Sequence, residues 1–156
     1  MNIDIDFASE DDFEEISFLL NEISQAIISA SGRWSKYSVN SDKSKQRQIY
    51  DMLIKSNNKL FLAKINGKVV GCVNLQLIQN IRHGWLRGHL EEVVVKLEYR
   101  GKGIGTMLMK SVKDYCKRNN IKMIKVMCGK QLKESHKFYE KNGFKYLDRG
   151  YRLAIN

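Results

Sequence analysis

Apolar and polar residues alternate from the start of the chain. Ile3, Ile5 and Phe7 interleave with Asn2, Asp4 and Asp6, the period of two expected of a strand with one buried face. The period then changes. Phe13, Ile16, Leu19, Leu20, Ile23 and Ile27 recur three and four apart, which predicts a long amphipathic helix. Ser9 with Asp12 three residues on supplies a capping box with aspartate in place of glutamate. Residues 29–42 are serine-rich, contain Gly32 and show no period, so a loop is expected, followed by a second helix over about 43–56. Asn66-Gly67 separates two apolar runs, 59–65 and 68–78, and is the preferred dipeptide of a two-residue hairpin turn because both positions need a positive φ. A polar, glycine-bearing stretch, 79–88, reads as the connection to a strand at 89–95. Helical spacing returns over about 103–119, where Ile104, Met107, Leu108, Ser111, Val112 and Tyr115 share a face. A strand at 123–127, a helix at 134–142 and a hairpin of 145–147 with 151–155 complete the pattern.

A chain of 156 residues without proline, repeat or low-complexity tract suits one domain over residues 1–156. No apolar run approaches the roughly 18 residues of a membrane span, and the N-terminus lacks a basic segment followed by an apolar one, so a cytoplasmic protein with no membrane partner is expected. Cys72, Cys116 and Cys128 are odd in number and lack metal-ligand spacing; they read as buried free thiols, and no metal is expected. The net charge of +10 is uneven: residues 1–22 hold eight acidic side chains and no basic one, leaving all 27 basic residues to the rest. No nucleic-acid-reading motif accompanies that excess, so it reads as a lysine-rich solvated surface that also draws in a polyanion, with no nucleic-acid partner.

The chemistry concentrates where the strand Val93-Val94-Val95 runs through a charged turn into Arg100-Gly101-Lys102-Gly103-Ile104-Gly105-Thr106. Glycines at a strand-to-helix junction let the backbone approach an anion, and the first amides of a helix have no helical partner. Two familiar glycine loops do not fit. A dinucleotide fingerprint needs Gly or Ala where Thr106 or Leu108 stands, and a nucleoside-triphosphate loop needs Ser or Thr where Gly103 stands.

The remaining pattern, Arg-x-x-Gly-x-Gly at Arg100, Gly103 and Gly105, resembles the acetyl-CoA-binding segment of the GNAT superfamily of N-acetyltransferases. A second stretch, 135–144, carries Phe138-Tyr139 and closes on Gly143-Phe144, similar to that family's other signature in the same order and separation. The element order is similar too, well over the second half and in outline over the first. The resemblance implies a single-domain α/β GNAT-like fold with a mixed central sheet of about six to seven strands and four helices. It implies acetyl-CoA as cosubstrate, held by Val93, Val94, Val95, the loop from Arg100 to Thr106, and Ser135. One departure stands out: where the family often has Asn and Ala, seven and four residues before the tyrosine, this chain has Leu132 and Ser135.

Acetyl transfer to an amine needs a base for the ammonium proton, a donor for the oxyanion and a proton for the thiolate. Glu91 and Glu92 enter the strand beside the loop, and strand alternation points them to opposite faces unless a bulge intervenes. Glu92 is the candidate base, with Glu91 as acceptor binder or alternative base. The acidic pair resembles that of glucosamine-phosphate N-acetyltransferases and many small-molecule relatives. By the resemblance Tyr139 is the acid, and the amide of Val94 or Val95 the oxyanion donor. Two segments, 32–37 and 82–87, combine aromatic and basic residues suited to an acceptor bearing phosphate or carboxylate. Of these, Arg33, Trp34 and Tyr37 are the candidate acceptor contacts. The function expected is acetylation of a small-molecule primary amine, by a protein able to form a homodimer. The alternatives are a protein or peptide N-acetyltransferase, a non-catalytic CoA-binding module and a basic nucleic-acid binder.

Overall fold

The structure, a computed structural model, describes residues 2–31 and 42–146. Among them are five strands: β1 (Asp4–Phe7), β2 (Lys59–Ile65), β3 (Lys68–Asn80), β4 (Trp85–Val95) and β5 (Ile124–Val126). Four α-helices accompany them: α1 (Phe13–Ser31), α2 (Lys43–Lys55), α3 (Ile104–Arg118) and α4 (Lys133–Lys141). The strands form one mixed sheet in sequence order, antiparallel except for the parallel pair β4–β5. Among the described residues the count is therefore five, where six to seven are expected. The other two expected strands are those of the closing hairpin, 145–147 with 151–155; Lys145 and Tyr146 are not in a strand, and residues 147–156 lie outside the described residues.

Local chemistry sets the element ends. The Asp12 carboxylate accepts from the Ser9 amide at 2.9 Å and its hydroxyl at 2.8 Å, capping the turn that opens α1. Asp42 accepts from the amides of Ser44 and Lys45 at the start of α2. Asn66 and Gly67 take φ of 50° and 77°, the geometry a two-residue hairpin requires.

The stretch expected as a connection, 79–88, is instead the tip of a long hairpin. β3 runs to Asn80 and β4 starts at Trp85, with Gln79 opposite Leu86 and Ile78 opposite Arg87. Gly84, at φ 66°, donates to Asn80 O at 2.9 Å and closes the turn. The polar residues that suggested a loop belong to a strand pair extending past the core, where neither face selects for apolar side chains.

The sheet separates two apolar clusters. One joins Val73, Leu75 and Leu90 to Ile104, Leu108, Met109, Val112 and Cys116 of α3, with Phe138, Tyr139 and Phe144 packed against it. The other joins Leu62, Cys72 and Val94 to Phe13, Ile16 and Leu19 of α1 and Tyr50 of α2. The buried stripe of α3 includes Met109 and Cys116, while Met107 is 39% exposed; the contact face is rotated from the one expected.

Candidate active site

The loop after β4 has the features of an anion cradle. Gly101 and Gly103 take φ of 74° and 83°, in the left-handed region, and a Cβ at either would meet nothing within 4 Å. Their requirement is conformational, not steric. Among the described residues, the amides of Gly101, Lys102, Gly103, Ile104, Gly105 and Thr106 donate to no protein acceptor; the first to do so is that of Met107, to Gly103 O at 3.0 Å. Unpartnered amides at the positive end of a 15-residue helix suit a polyanion such as a pyrophosphate. Arg100 Nε donates back to Val95 O at 2.9 Å, bracing the loop against the strand end. Lys102 is exposed, its ammonium 5.2 Å from the Tyr99 ring centre.

Two expected cradle residues act differently. Ile104 is buried in the core, so only its amide is available. Gly105 has an ordinary helical φ, and a Cβ there would come within 3.0 Å of the Phe138 ring. Its missing side chain lets α3 and α4 approach each other, which the loop pattern alone does not reveal.

Glu91 and Glu92 sit at a bulge. Leu75 stands opposite Leu90 and Val73 opposite Val93, so Asn74 alone faces both glutamates. Leu90 and Val93, an odd number of residues apart, nonetheless pack on the same α3 face; the extra residue has reversed the alternation. The glutamates are therefore not on opposite faces. Glu92 lies on the α1 face, where Asn74 Nδ2 donates to its Oε2 at 2.7 Å, and Glu91 Oε2 is 3.4 Å from His89 Nε2. Gln76 Nε2 donates to Asn74 Oδ1 at 3.1 Å, extending the chain of contacts. Burial lifts the Glu92 carboxyl above the ordinary carboxylate range; the Asn74 hydrogen bond opposes the shift and the charge of Glu91 adds to it.

The same bulge turns the main chain. Gly88 N donates to Met123 O, toward β5, whereas Lys96 N donates to Val70 O, toward β3. These residues are eight apart and would share a direction in a regular strand. Past the bulge, Val93 and Val95 therefore aim their amides at the β5 side, and Val94 aims its amide at β3. Of the two amides expected to face the site, that of Val94 therefore turns toward β3 and that of Val95 away from it. β4 and β5 pair only from Gly88 with Ile124 to Leu90 with Val126, so the amides of Val93 and Val95 lie beyond the paired residues.

Tyr139 approaches from the other face, half-buried against the α3 cluster, with its ring centre 5.4 Å from that of Phe138 and 5.6 Å from that of Phe144. Burial, with a smaller contribution from Cys128, pushes its phenol up to about 12. Ser135 lies beside the half-buried Cys128 thiol. Cys72 and Cys116 are buried as expected. Arg33, Trp34 and Tyr37 lie outside the described residues. A concavity of about 440 Å³, lined by Cys116, Ile121, Ile124 and Phe144 among others, shares no residue with this site. Sequence reasoning missed Asn74; its signal is a polar residue interrupting the apolar run of β3, where a buried amide needs a partner.

The model of the acetyltransferase (GNAT) family matches residues 27–144. A glucosamine 6-phosphate N-acetyltransferase of Trypanosoma brucei brucei is 34% identical over 98 residues, 62% of this chain and 65% of that protein. An aminoalkylphosphonate N-acetyltransferase of Salmonella typhimurium is 27% identical over 93 residues, 60% of each. The chain thus spans less than two thirds of the length of these relatives. A crystal structure of a Trypanosoma brucei acetyltransferase superimposes with a TM-score of 0.77 at 22% identity, covering 99% of this chain and 100% of that one. Among the described residues no helix is long and apolar enough to cross a membrane.

Proposed function

The chain belongs to the GNAT acetyltransferase family, and on that premise we propose that it transfers an acetyl group from acetyl-CoA to the primary amine of a small-molecule acceptor. Acetyl-CoA supplies the activated acyl group together with a pyrophosphate handle. The unpartnered amides from Gly101 to Thr106 hold that handle, with Arg100 bracing the loop; Ser135, beside Cys128, is a further cofactor contact. The Val95 amide, turned away from β3, donates to the developing oxyanion.

Glu92 takes the ammonium proton. Its raised pKa brings it closer to the acceptor amine and to working pH, which favours a general base. Tyr139 is held as a phenol at any working pH and presents its Oη hydrogen to the departing sulfur. Complete proton transfer from a phenol pushed up to about 12 to a thiolate of ordinary basicity, about 8.5, runs uphill, so the contribution of Tyr139 is a hydrogen bond.

The observation that carries this reading is the half-buried carboxylate held by Asn74 at the bulge in β4. Relatives named for acetylating glucosamine 6-phosphate and aminoalkylphosphonates favour a small-molecule acceptor. The test is thiol release from acetyl-CoA across panels of small amines and peptides. Amine-dependent release is expected. Turnover of peptides alone would transfer the reading to a protein N-acetyltransferase, and acetyl-CoA binding without turnover of any amine would leave a binding module.

A further inference from the structure

Arg87 on β4 has a side-chain nitrogen that no described residue satisfies. Its Nε is closed off from solvent and, among the described residues, has no hydrogen-bond partner. A guanidinium remains charged at every working pH and requires acceptors. Folded proteins leave few buried polar atoms orphaned, and a bound ligand is one way such an atom is satisfied. The acidic groups on the same stretch of β4 are already engaged: Glu92 by Asn74 and Glu91 by His89.

The position of Arg87 is informative. A Cβ at Gly88 would come within 2.9 Å of Leu75, and Leu77 opposite it packs on the α3 cluster, so Gly88 faces α3. Alternation then sends Arg87 and His89, with Gln76 opposite His89, to the α1 face that holds Asn74 and Glu92. Along one face of β4 the order is guanidinium, imidazole, carboxylate. Five residues of strand separate Arg87 from Glu92, on the order of 15 Å between Cα atoms, a span both side chains can shorten. A positive end and a negative end match an acceptor with the opposite polarity: an ammonium toward the glutamates and an anion toward the arginine.

We infer that Arg87 forms an anion subsite of the acceptor pocket, and that the acceptor carries a phosphate or carboxylate group several bonds from its amine. The kinetic part rests on acetyl transfer at Glu92; the binding part does not.

Two matched pairs test it: glucosamine 6-phosphate against glucosamine, and 6-aminohexanoate against hexylamine. In at least one pair the anionic member should have a kcat/KM about tenfold higher or more, and which pair shows it separates phosphate from carboxylate. Arg87→Met should cut that ratio about tenfold or more, through KM, with Arg87→Lys intermediate because it keeps the charge and loses the fork. Lys122→Met, which removes an exposed charge before β5, should leave the ratio unchanged. Thermal melting and acetyl-CoA affinity verify that the variants are folded. No preference in either pair, or an unchanged ratio in Arg87→Met, overturns the inference. If no amine is turned over, the acetyl-transfer reading fails, and the Arg87 Nε–H resonance decides the subsite. A saturable shift on adding either anionic compound supports it, and no shift with both overturns it.

Discussion

The cradle at the head of α3 and the carboxylate on β4 are near neighbours along the chain, yet they are made of different material. The cradle consists of main-chain amides, freed by a helix start and shaped by Gly101 and Gly103. The carboxylate is a side chain whose face is set by a bulge and whose position is set by Asn74, 18 residues away on another strand. An anion site built from amides tolerates changes of side chain and fails when the backbone is forced elsewhere. A base built from side chains keeps its fold under substitution and loses its chemistry. Each half should therefore break in its own way.

The largest effect belongs to the backbone. Gly103→Val places a β-branched residue at a φ of 83°, where it is an outlier, so acetyl-CoA affinity measured by calorimetry should fall about a hundredfold or more while circular dichroism stays native. Gly105→Val provides the contrast. Its side chain collides with Phe138, so thermal melting should show a loss of about 1–3 kcal/mol, the usual cost of overpacking. If Gly103→Val bound acetyl-CoA normally, the cradle would not be the phosphate site.

Next comes Glu92→Gln. The rate near neutral pH should fall about a hundredfold with acetyl-CoA affinity unchanged, and recover in part at high pH, where the acceptor is already neutral. Stability should move the other way. The folded state holds the Glu92 proton more tightly than the unfolded chain does, so ionising it costs stability as pH rises through the ordinary carboxylate range to the raised pKa. Glutamine removes that cost, and the melting temperature near neutral pH should be equal or higher. A rate defect unchanged at every pH would remove the base role from Glu92.

Tyr139→Phe keeps the ring packing and removes the donor, so turnover should drop on the order of ten- to a thousandfold with stability little changed. Normal turnover would mean that the departing sulfur does not depend on the Tyr139 hydrogen bond. The smallest effect is expected at Asn74→Leu. Losing the hydrogen bond that lowers the Glu92 pKa should move the acid limb of the pH–rate profile to higher pH. An unmoved limb would mean that Glu92 is not the titrating group.

Much of this was legible because it is local. The Asn66-Gly67 turn, the Ser9–Asp12 cap, the amphipathic α1 and the glycine loop each depend on a few consecutive residues whose backbone preferences point one way. The β3–β4 register and the contact of α4 with α3 were not legible, because they depend on residues distant in the chain. The strand count was less legible, as was the hairpin tip at 81–84, where polar residues mark solvent exposure and loop alike.

By itself, then, the sequence determined the elements and the glycine cradle, because backbone propensity and spacing are written residue by residue, and its resemblance to a known family marked the candidate acid and base. Tertiary structure decided which side chains those elements bring together. A single extra residue opposite Asn74 reversed the strand's alternation, placed Glu91 and Glu92 off the α3 face, and turned the Val93 and Val95 amides rather than that of Val94 away from β3. Tertiary packing also gave Gly105 to helix contact and, among the described residues, left Arg87 Nε buried without an acceptor. Such facts depend on pairing between distant strands and helices, and a period of two or of 3.6 carries no record of the partner.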